Sequence, residues 1–262
     1  MRTIGRGAEP RITTSPGRIN ETLFYFFYDN NLLEELSTYV EAGAADGLDQ
    51  SNTALLAESG WSGLLVDPLK GHAEACVVNR PESVVVRAAL VSRTFAETSD
   101  SSVIEVQEPS LSLCTFVGTK PDFHEDDLSV VKKSTAPAYT LEFLLSKHNI
   151  EKVDFFSLDV EGYEFEVLDG LNLEINKPTF MAIECRQETK LKEYLAAHGY
   201  ELIAPLSHHD YLFGLREYRQ PYTRWKLRSL PELPLAPEAV ADLAASLDPN
   251  AALKFLSSWK TT

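Results

Sequence analysis

The feature that most constrains the fold of this chain is a regular alternation of short apolar strands with helices. Seven strands are predicted, and they span residues 39–43, 63–67, 83–91, 153–159, 178–185, 200–204 and 211–215. Helices separate the first three strands, and such units close with a right-handed crossover that makes the strands parallel. The last two strands are predicted to pair antiparallel and to close the sheet. The pattern predicts an α/β fold, with a doubly wound, mostly parallel seven-stranded sheet and helices on both faces.

The domain boundaries are expected where this alternation begins and ends. Residues 1–20, rich in Arg, Gly, Pro and Thr, are predicted to be a flexible N-terminal arm. The folded domain is predicted over 21–220, and its first element is a helix over 21–37 with an apolar, aromatic face. Residues 92–138 break the pattern and are predicted to be an insertion or flap that shapes a binding pocket, as long loops in compact domains often do. Residues 221–262 are predicted to be a C-terminal extension that contains a helix.

The charge balance bears on partners and location. Lys and Arg total 24 against 39 Asp and Glu, a formal net charge of −15, so a phosphate polymer is repelled and nucleic acid is not expected as a partner. Cys76, Cys114 and Cys185 lie far apart without a CxxC pair, which speaks against a zinc ribbon or dithiol site. The polar N-terminus lacks the apolar region of a signal peptide, and no apolar run is long enough for a membrane span. These features predict a cytoplasmic location.

The turn after the first strand is the first candidate binding element. Its sequence is EAGAADG, from Glu41 to Gly47, and ligands of open α/β sheets bind at such carboxyl ends of strands. Glu41 and Asp46 bracket the turn, and their charges would repel the pyrophosphate that a GxGxxG turn binds. They suit a cofactor with positive charges, such as the ammonium and sulfonium groups of S-adenosylmethionine. Asp67 ends the second strand, where a carboxylate can accept hydrogen bonds from a ribose diol.

Four segments in order resemble the FkbM family of methyltransferases: VEAGAADGLDQSNTALLAESGWSGLLVDP, NRP at 79–81, VDFFSLDVEGYEFEVLDGL and HHDYLF. The resemblance covers roughly residues 38–215. It implies a Rossmann-like class I methyltransferase fold, S-adenosylmethionine as methyl donor, and usually O-methylation of a sugar, polyketide or other small molecule. The donor site implied by position comprises Glu41, Gly43, Asp46, Gly47, Ser51, Asn52, Thr53 and Asp67, to which we add the neighbouring Ala44 and Pro68. The adenine contact stays open among Ser92, Glu97 and Asp100.

A second group of acidic residues follows the later strands. Asp159 and Glu161 end the fourth strand, Glu184 lies near the end of the fifth, and His209 and Asp210 precede the last. A parallel sheet brings these positions to the same edge as the EAGAADG turn. An alcohol must lose its proton during methyl transfer, and a positioned base accelerates such a step about 10²–10⁴-fold. A divalent metal lowers the pKa of a bound hydroxyl to similar effect.

Three interpretations of these acidic residues remain open from the sequence. In the first, Asp159, Glu161 and Glu184 anchor acceptor hydroxyls or act as the base, with His209, oriented by Asp210, as a candidate histidine base. In the second, Asp159, Glu184 and Asp210 bind a divalent cation, Mg²⁺ being the ion that suits hard oxygen ligands. In the third they are structural: Asp159 or Glu161 caps the helix at Tyr163, and Glu184 pairs with Arg186 or Arg80.

Besides O-methylation of a small-molecule or carbohydrate acceptor, the sequence allows or disfavours several other functions. The acidic turn disfavours a dehydrogenase, and the absence of GxSxG disfavours a hydrolase. N-methylation of a small amine fits the net charge, and a catalytically inactive binding module of the same fold is a further alternative. The basic run REYRQPYTRWKLR, at 216–228, is either a solvated tail or a patch for an anionic acceptor or a second subunit of a homo-oligomer.

Overall fold

The computed structural model describes residues 19–99, 102–109, 116–117 and 131–218 of the 262-residue chain. The strands are β1 (Thr38–Ala42), β2 (Ser62–Asp67), β3 (Val84–Arg87), β4 (Ala89–Leu90), β5 (Val103–Pro109), β6 (Phe116–Val117), β7 (Val131–Tyr139), β8 (Phe155–Leu158), β9 (Phe180–Glu184), β10 (Tyr200–Pro205) and β11 (Asp210–Leu215). The helices are α1 (Ile19–Asp29), α2 (Ala54–Glu58), α3 (Lys70–Asn79), α4 (Arg93–Thr98), α5 (Leu141–Lys147), α6 (Glu164–Leu171) and α7 (Glu188–Ala197), and a 3₁₀ turn follows at Arg216–Tyr218.

The main sheet has seven strands in the order β10-β11-β9-β8-β1-β2-β3. The pairs from β3 to β9 are parallel, and β11 runs antiparallel to both of its neighbours. The predicted mostly parallel sheet with an antiparallel pair at its end is therefore confirmed. The chain moves outward from β1 to β3 and later resumes at β8 on the other side of β1. Strand order reverses between β1 and β8, and the crevice at such a point is where open α/β sheets bind ligands.

Successive residues of the central strands face opposite sides of the sheet and enter separate cores. Val40, Leu64 and Phe156 belong to one core, which also contains apolar residues of α5, α6 and α7. Tyr39 and Phe155 belong to the other, which α1, α2 and α3 complete. Because both faces are covered, the strands read as continuous apolar runs, and helices lie on both faces as predicted.

Two elements differ in their bounds from the sequence-based predictions. The first helix covers Ile19–Asp29 instead of 21–37, and the chain then turns with Asn31 in the left-handed region at φ 57°. The strand predicted over 83–91 is divided at Ala88 into β3 and β4, since β4 leaves the main sheet to pair with β7. Helix α5 begins at Leu141, where the Thr140 hydroxyl accepts a hydrogen bond from the amide of Phe143 at 3.2 Å.

The region predicted as an insertion or flap contains α4 and most of a second sheet. This sheet has the order β4-β7-β5-β6, with β5 antiparallel to both β6 and β7. It packs on the main domain through a small apolar cluster of Leu69, Ala89, Val106 and Ala136, against which Tyr163 also packs. Since Leu69 follows β2 and Tyr163 follows β8, the second sheet is anchored beside the carboxyl ends of the main sheet.

Some sequence-based predictions concern residues outside the described part of the chain. They are the flexible arm up to residue 18, the segment 219–262 with its predicted helix and basic run, Asp100, and Cys114. Within the described residues, no helix combines the length and apolar character that crossing a membrane requires.

Candidate functional site

A cleft opens at the carboxyl ends of β1, β2 and β8, at the point where the strand order reverses. The empty space within it, including the part open to solvent, is about 870 Å³. Its lining comprises Gly43, Ala44, Ala45, Asp49, Gln50, Ser51, Val66, Asp67, Pro68, Ala88, Ala89, Leu90, Asp159, Val160, Glu161 and Tyr163. The two groups predicted from sequence, after β1 and after β8, thus contribute to one cleft.

The β1 turn, residues 43–47, is folded tightly against the ends of β2 and β8. The amides of Gly43 and Ala44 donate to the carbonyl of Val66 at 3.0 and 3.2 Å. Gly43 has φ +81°, and a Cβ placed on it would lie 1.7 Å from the carbonyl oxygen of Asp159. Glycine is therefore required here both for the left-handed backbone and for the close approach of β8.

Glu41, at the end of β1, is a buried hub for the loop that follows the turn. One carboxylate oxygen accepts the hydroxyls of Ser51 at 2.8 Å and Thr53 at 2.7 Å, and the other accepts the amide of Asn52 at 2.7 Å. With only 3% of its surface exposed, Glu41 is not part of the cleft lining. Its charge stabilises residues 51–53 from behind, and the structure gives it no exposed surface in the cleft.

Arg80 joins the same buried network. Its guanidinium donates to the Tyr39 hydroxyl at 2.7 Å and to the carbonyl of Gly47 at 2.8 Å, and it lies 4.0 Å from a carboxylate oxygen of Glu41. The sequence offered Arg80 as a partner of Glu184, and the structure places it with Glu41 instead. The sequence around Arg80 did not indicate that it would pack behind the β1 turn, because its partners Gly47 and Tyr39 lie 33 and 41 residues away.

Asp46 is engaged within the turn itself. Its carboxylate accepts the amides of Leu48 at 2.8 Å and Asp49 at 2.7 Å, which fixes the loop by a local side-chain to backbone contact. Asp46 is not among the lining residues. The predicted cationic contact of Glu41 and Asp46 therefore gains no support from their positions, because neither residue lines the cleft.

Asp67 ends β2 and lies at the wall of the cleft. Its Oδ2 accepts the amide of Ala45 at 3.0 Å, and its Oδ1 accepts the amide of Leu69 at 2.9 Å. His72, on α3, contacts Oδ1 through Nδ1 at 3.1 Å. The carboxylate links the β1 turn to the loop after β2, so it is held in a fixed orientation at the position that the sequence predicted for ribose binding.

The predicted donor residues divide into two sets. Those that line the cleft are Gly43, Ala44, Ser51, Asp67 and Pro68. Those that support its wall from behind are Glu41, Asp46, Gly47, Asn52 and Thr53, and Asn52 does so by donating to the Ser157 hydroxyl of β8 at 3.1 Å. The adenine contact was expected after the third predicted strand, and there the wall of the cleft is formed by Ala88, Ala89 and Leu90. Ser92 instead caps α4, accepting the amide of Phe95 at 3.1 Å, and Glu97 lies on that helix.

Asp159, Glu161 and Glu184 form what we call the acidic cluster. Their carboxylate oxygens lie within 4.8 Å of one another. The β8–β9 register aligns Leu158 with Ile183 and so brings Asp159 beside Glu184. Burial, a hydrogen bond with Glu184 and the charges of Glu161 and Asp210 raise the pKa of Asp159 well above its ordinary value. The raised pKa of Asp159 follows from burial and from these neighbouring carboxyl groups, and Asp159 and Glu184 form a carboxyl pair within hydrogen-bonding reach.

Two further carboxyl groups adjoin the acidic cluster. Asp210 pairs with Glu184 across β11 and β9, and burial together with the charge of Glu184 raises its pKa. Glu164, which the sequence analysis missed, is 4% exposed and accepts the amide of Gly162 at 2.7 Å. Burial raises its pKa to about 7, with the charges of Glu184 and Glu161 adding to the effect. The sequence could have indicated Glu164, because it is the third acidic residue of the run DVEGYE that begins at Asp159.

The remaining candidates of this region are placed differently. His209 lies in the turn before β11, where its carbonyl accepts the amide of Cys185 at 2.8 Å, and it is not among the cleft-lining residues. Helix α6 begins at Glu164, and the side chain of its N-cap residue Tyr163 makes no capping hydrogen bond. The structural alternative in which Asp159 or Glu161 caps this helix stays a prediction. Of the predicted metal ligands, Asp159 and Glu184 belong to the acidic cluster, with Glu161 rather than Asp210 as the third member.

Comparison with known proteins decides the family. The Methyltransferase FkbM domain matches residues 41–210, which includes both the β1 turn and the acidic cluster. The chain belongs to the FkbM methyltransferase family. Family membership together with the observed sheet confirms the Rossmann-like methyltransferase fold, and methyltransferases of this family use S-adenosylmethionine as donor.

Other comparisons are more distant. A solved structure titled human methyltransferase 10 domain containing protein is similar to this FkbM family member with a TM-score of 0.39 and 11% sequence identity. The similarity covers 76% of this chain and 83% of that chain. The sequence comparison with curated proteins gives no match.

Proposed function

We propose that this FkbM family member transfers the methyl group of S-adenosylmethionine to a hydroxyl group of a sugar, a polysaccharide or another small-molecule natural product. The observation that carries the proposal is that the β1 turn and the carboxyl groups of Asp159 and Glu161 line the same cleft. A donor held by the turn would therefore present its methyl group toward residues able to bind and deprotonate a hydroxyl.

The donor half of the proposal rests on the walls of the cleft. Gly43 and Ala44 present backbone without bulky side chains, which allows a ligand to approach closely. Asp67 stands at the end of β2, where a carboxylate accepts ribose hydroxyls in related α/β folds. Ala88, Ala89 and Leu90 form the part of the wall that suits the flat apolar faces of adenine.

The acceptor half rests on the coupled carboxyl pair. A base is most effective when its pKa lies near the working pH, and an ordinary carboxylate is too weakly basic for this. Because burial and the neighbouring carboxyl groups raise the pKa of Asp159, the ionised Asp159–Glu184 pair takes up a proton at a higher pH than an isolated carboxylate does. Glu161, which lines the cleft beside Asp159, is placed to accept a hydrogen bond from the acceptor hydroxyl.

A divalent cation offers a second way of activating the hydroxyl at the same place. The acidic cluster consists of hard oxygen donors close enough together to share an ion, and such donors favour Mg²⁺. The residues that would hold it are Asp159, Glu161 and Glu184. When bound, the ion would lower the pKa of an acceptor hydroxyl. Comparing activity with and without magnesium separates this arrangement from the metal-free pair.

Two alternatives remain proposals of the same site. The negative charge of the acidic cluster favours a cationic acceptor, so N-methylation of a small amine is the second candidate function. A catalytically inactive binding module of the same fold is the other, and a folded protein that binds no donor would favour it. A cytoplasmic location and a homo-oligomeric state stay predictions from the sequence.

The first experiment is calorimetric titration of the full chain with S-adenosylmethionine and S-adenosylhomocysteine, each with and without Mg²⁺. Micromolar affinity supports the donor site, and a magnesium-dependent affinity supports the metal arrangement. Transfer of a labelled methyl group to panels of polyols and amines then separates O-methylation from N-methylation. A folded protein that binds neither nucleoside would contradict the proposal.

A further inference from the structure

Behind the cleft wall, His72 contacts the carboxylate that the proposed function assigns to the donor ribose. It lies in the first turn of α3, and its Nδ1 is 3.1 Å from Oδ1 of Asp67. The side chain of His72 is 24% exposed and that of Asp67 is 5% exposed. His72 is not among the lining residues of the cleft, so any effect on a ligand passes through Asp67.

The hydrogen bonds of Asp67 determine which of its atoms remains available. A carboxylate has about four acceptor positions, two on each oxygen. Oδ1 accepts the amide of Leu69 at 2.9 Å and contacts His72, whereas Oδ2 accepts the amide of Ala45 at 3.0 Å. Since an ionised carboxylate can only accept, Nδ1 of His72 carries the proton in this contact. Among the described residues, these donors fill Oδ1 and leave one acceptor position on Oδ2.

We infer that His72 is a positioning residue for methyl-donor binding: by donating to Oδ1, it fixes the Asp67 carboxylate so that the remaining position of Oδ2 accepts one ribose hydroxyl. The inference rests on the proposed function, because it concerns the donor nucleoside. It refines that function in one respect. Asp67 receives a single hydroxyl, whereas a carboxylate with both oxygens open would receive the whole diol.

The surroundings of His72 favour its role as a donor. The hydrogen bond to Asp67 raises the pKa of the imidazole, and the charges of Asp67, of Glu108 on the second sheet and of Asp46 in the β1 turn act in the same direction. A ring in this field keeps a proton on the nitrogen that faces Asp67. An amide at position 72 retains a short N–H donor, whereas a methyl group has none.

The test measures the affinity of the full chain for S-adenosylhomocysteine and for its 2′,3′-dideoxy analogue by calorimetry. The variants are His72→Ala, His72→Asn, and the control Glu74→Ala, which removes an exposed residue of the same helix whose partner is Lys70. We expect His72→Ala to weaken binding of S-adenosylhomocysteine about tenfold, the value of one hydrogen bond to a charged group. We expect His72→Asn and Glu74→Ala to bind within about threefold of the parent chain.

The dideoxy analogue supplies the readout that a merely structural role would not give. If His72 acts through the ribose contact, its replacement by alanine leaves the weaker affinity for the analogue unchanged. Equal loss of affinity for both nucleosides would overturn the inference, as would parent-like binding of S-adenosylhomocysteine by His72→Ala. Failure of the parent chain to bind either nucleoside overturns the proposed function together with this inference, and is recognised because it precedes any substitution.

Discussion

The two halves of the cleft use the same residue types in opposite ways. On the β1–β2 side, the carboxylates of Glu41, Asp46 and Asp67 each accept hydrogen bonds from amides or hydroxyls of the protein. On the β8–β9 side, Asp159 and Glu184 face each other and further carboxyl groups. The first half is a satisfied network that fixes the shape of a turn. In the second, several carboxyl groups lie close to one another.

The difference shows what each half is built to do. Satisfied buried carboxylates make a rigid wall, and a rigid wall lowers the entropic cost of holding a ligand. Crowded carboxyl groups disfavour their own ionisation, and the raised pKa of Asp159 and of Asp210 follows from that crowding and from burial. Perturbed acids in a cleft are typical of sites that move protons. Substitutions should therefore affect folding and donor binding on one side, and turnover on the other.

We expect the largest effect from a substitution at the contact between the two halves, where Gly43 approaches the backbone of Asp159. Gly43→Ala places a Cβ 1.7 Å from the carbonyl oxygen of Asp159, which is backbone and cannot move alone. We expect the free energy of unfolding to fall by more than about 4 kcal/mol, the size that a severe steric conflict produces. The control Gly60→Ala has a similar φ of +95° with nothing within 4 Å, so it should cost about 1–2 kcal/mol. Equal effects in chemical denaturation would contradict the tight contact.

Arg80→Met tests how much the buried network of the first half contributes to stability. This substitution removes the guanidinium that contacts Glu41, Gly47 and Tyr39, and breaking a buried pair in this way costs about 3–5 kcal/mol of stability. The control is Arg216→Met, whose exposed pair with Glu201 should contribute about 0–1 kcal/mol. Denaturant titrations of both variants would measure the difference, and a small loss at Arg80 would show that the network is not essential to the wall.

Asp159→Asn tests the second half. It preserves the shape of the side chain but removes a carboxylate that can accept the proton of the acceptor hydroxyl, so methyl transfer should slow by about 10²–10⁴-fold while donor affinity stays within about threefold. The exposed Asp169→Asn, which alters a surface pair with Arg93, should leave the rate unchanged. Rates and donor affinities are measured on the same preparations. Undiminished turnover in Asp159→Asn would exclude the carboxyl pair as the base.

The smallest of these effects concerns pH. Because the pKa of Glu164 is about 7 in the folded chain against an ordinary 4.5, the folded state binds its proton more tightly. Stability should therefore fall as the pH rises from about 4.5 to about 7, and Glu164→Gln should remove on the order of 3 kcal/mol of that fall. Denaturation at several pH values checks this, with the exposed Glu188→Gln as control. An unchanged slope would mean that Glu164 ionises normally.

Local patterns predicted those parts of the site that are set by neighbouring residues. Gly43 and Asp67 stand directly at strand ends, so the strand pattern alone located them. The cleft positions of Ala88 to Leu90 were not predicted, because the strand over 83–91 was expected to be continuous. Its division into β3 and β4 depends on the pairing of β4 with β7, some fifty residues later in the chain, which no local pattern encodes.

The sequence by itself determined the alternation of strands and helices, the seven-stranded sheet and the edge at which the acidic residues collect. These follow from apolar periodicity and from the handedness of β-α-β crossovers, which act over short separations. The tertiary structure alone decided what each carboxylate does. Glu41 and Asp159 both stand at the carboxyl ends of buried strands, but folding surrounds Glu41 with hydroxyls, an amide and Arg80, and places Asp159 beside Glu184. A carboxylate becomes structural or reactive according to the groups that reach it through space.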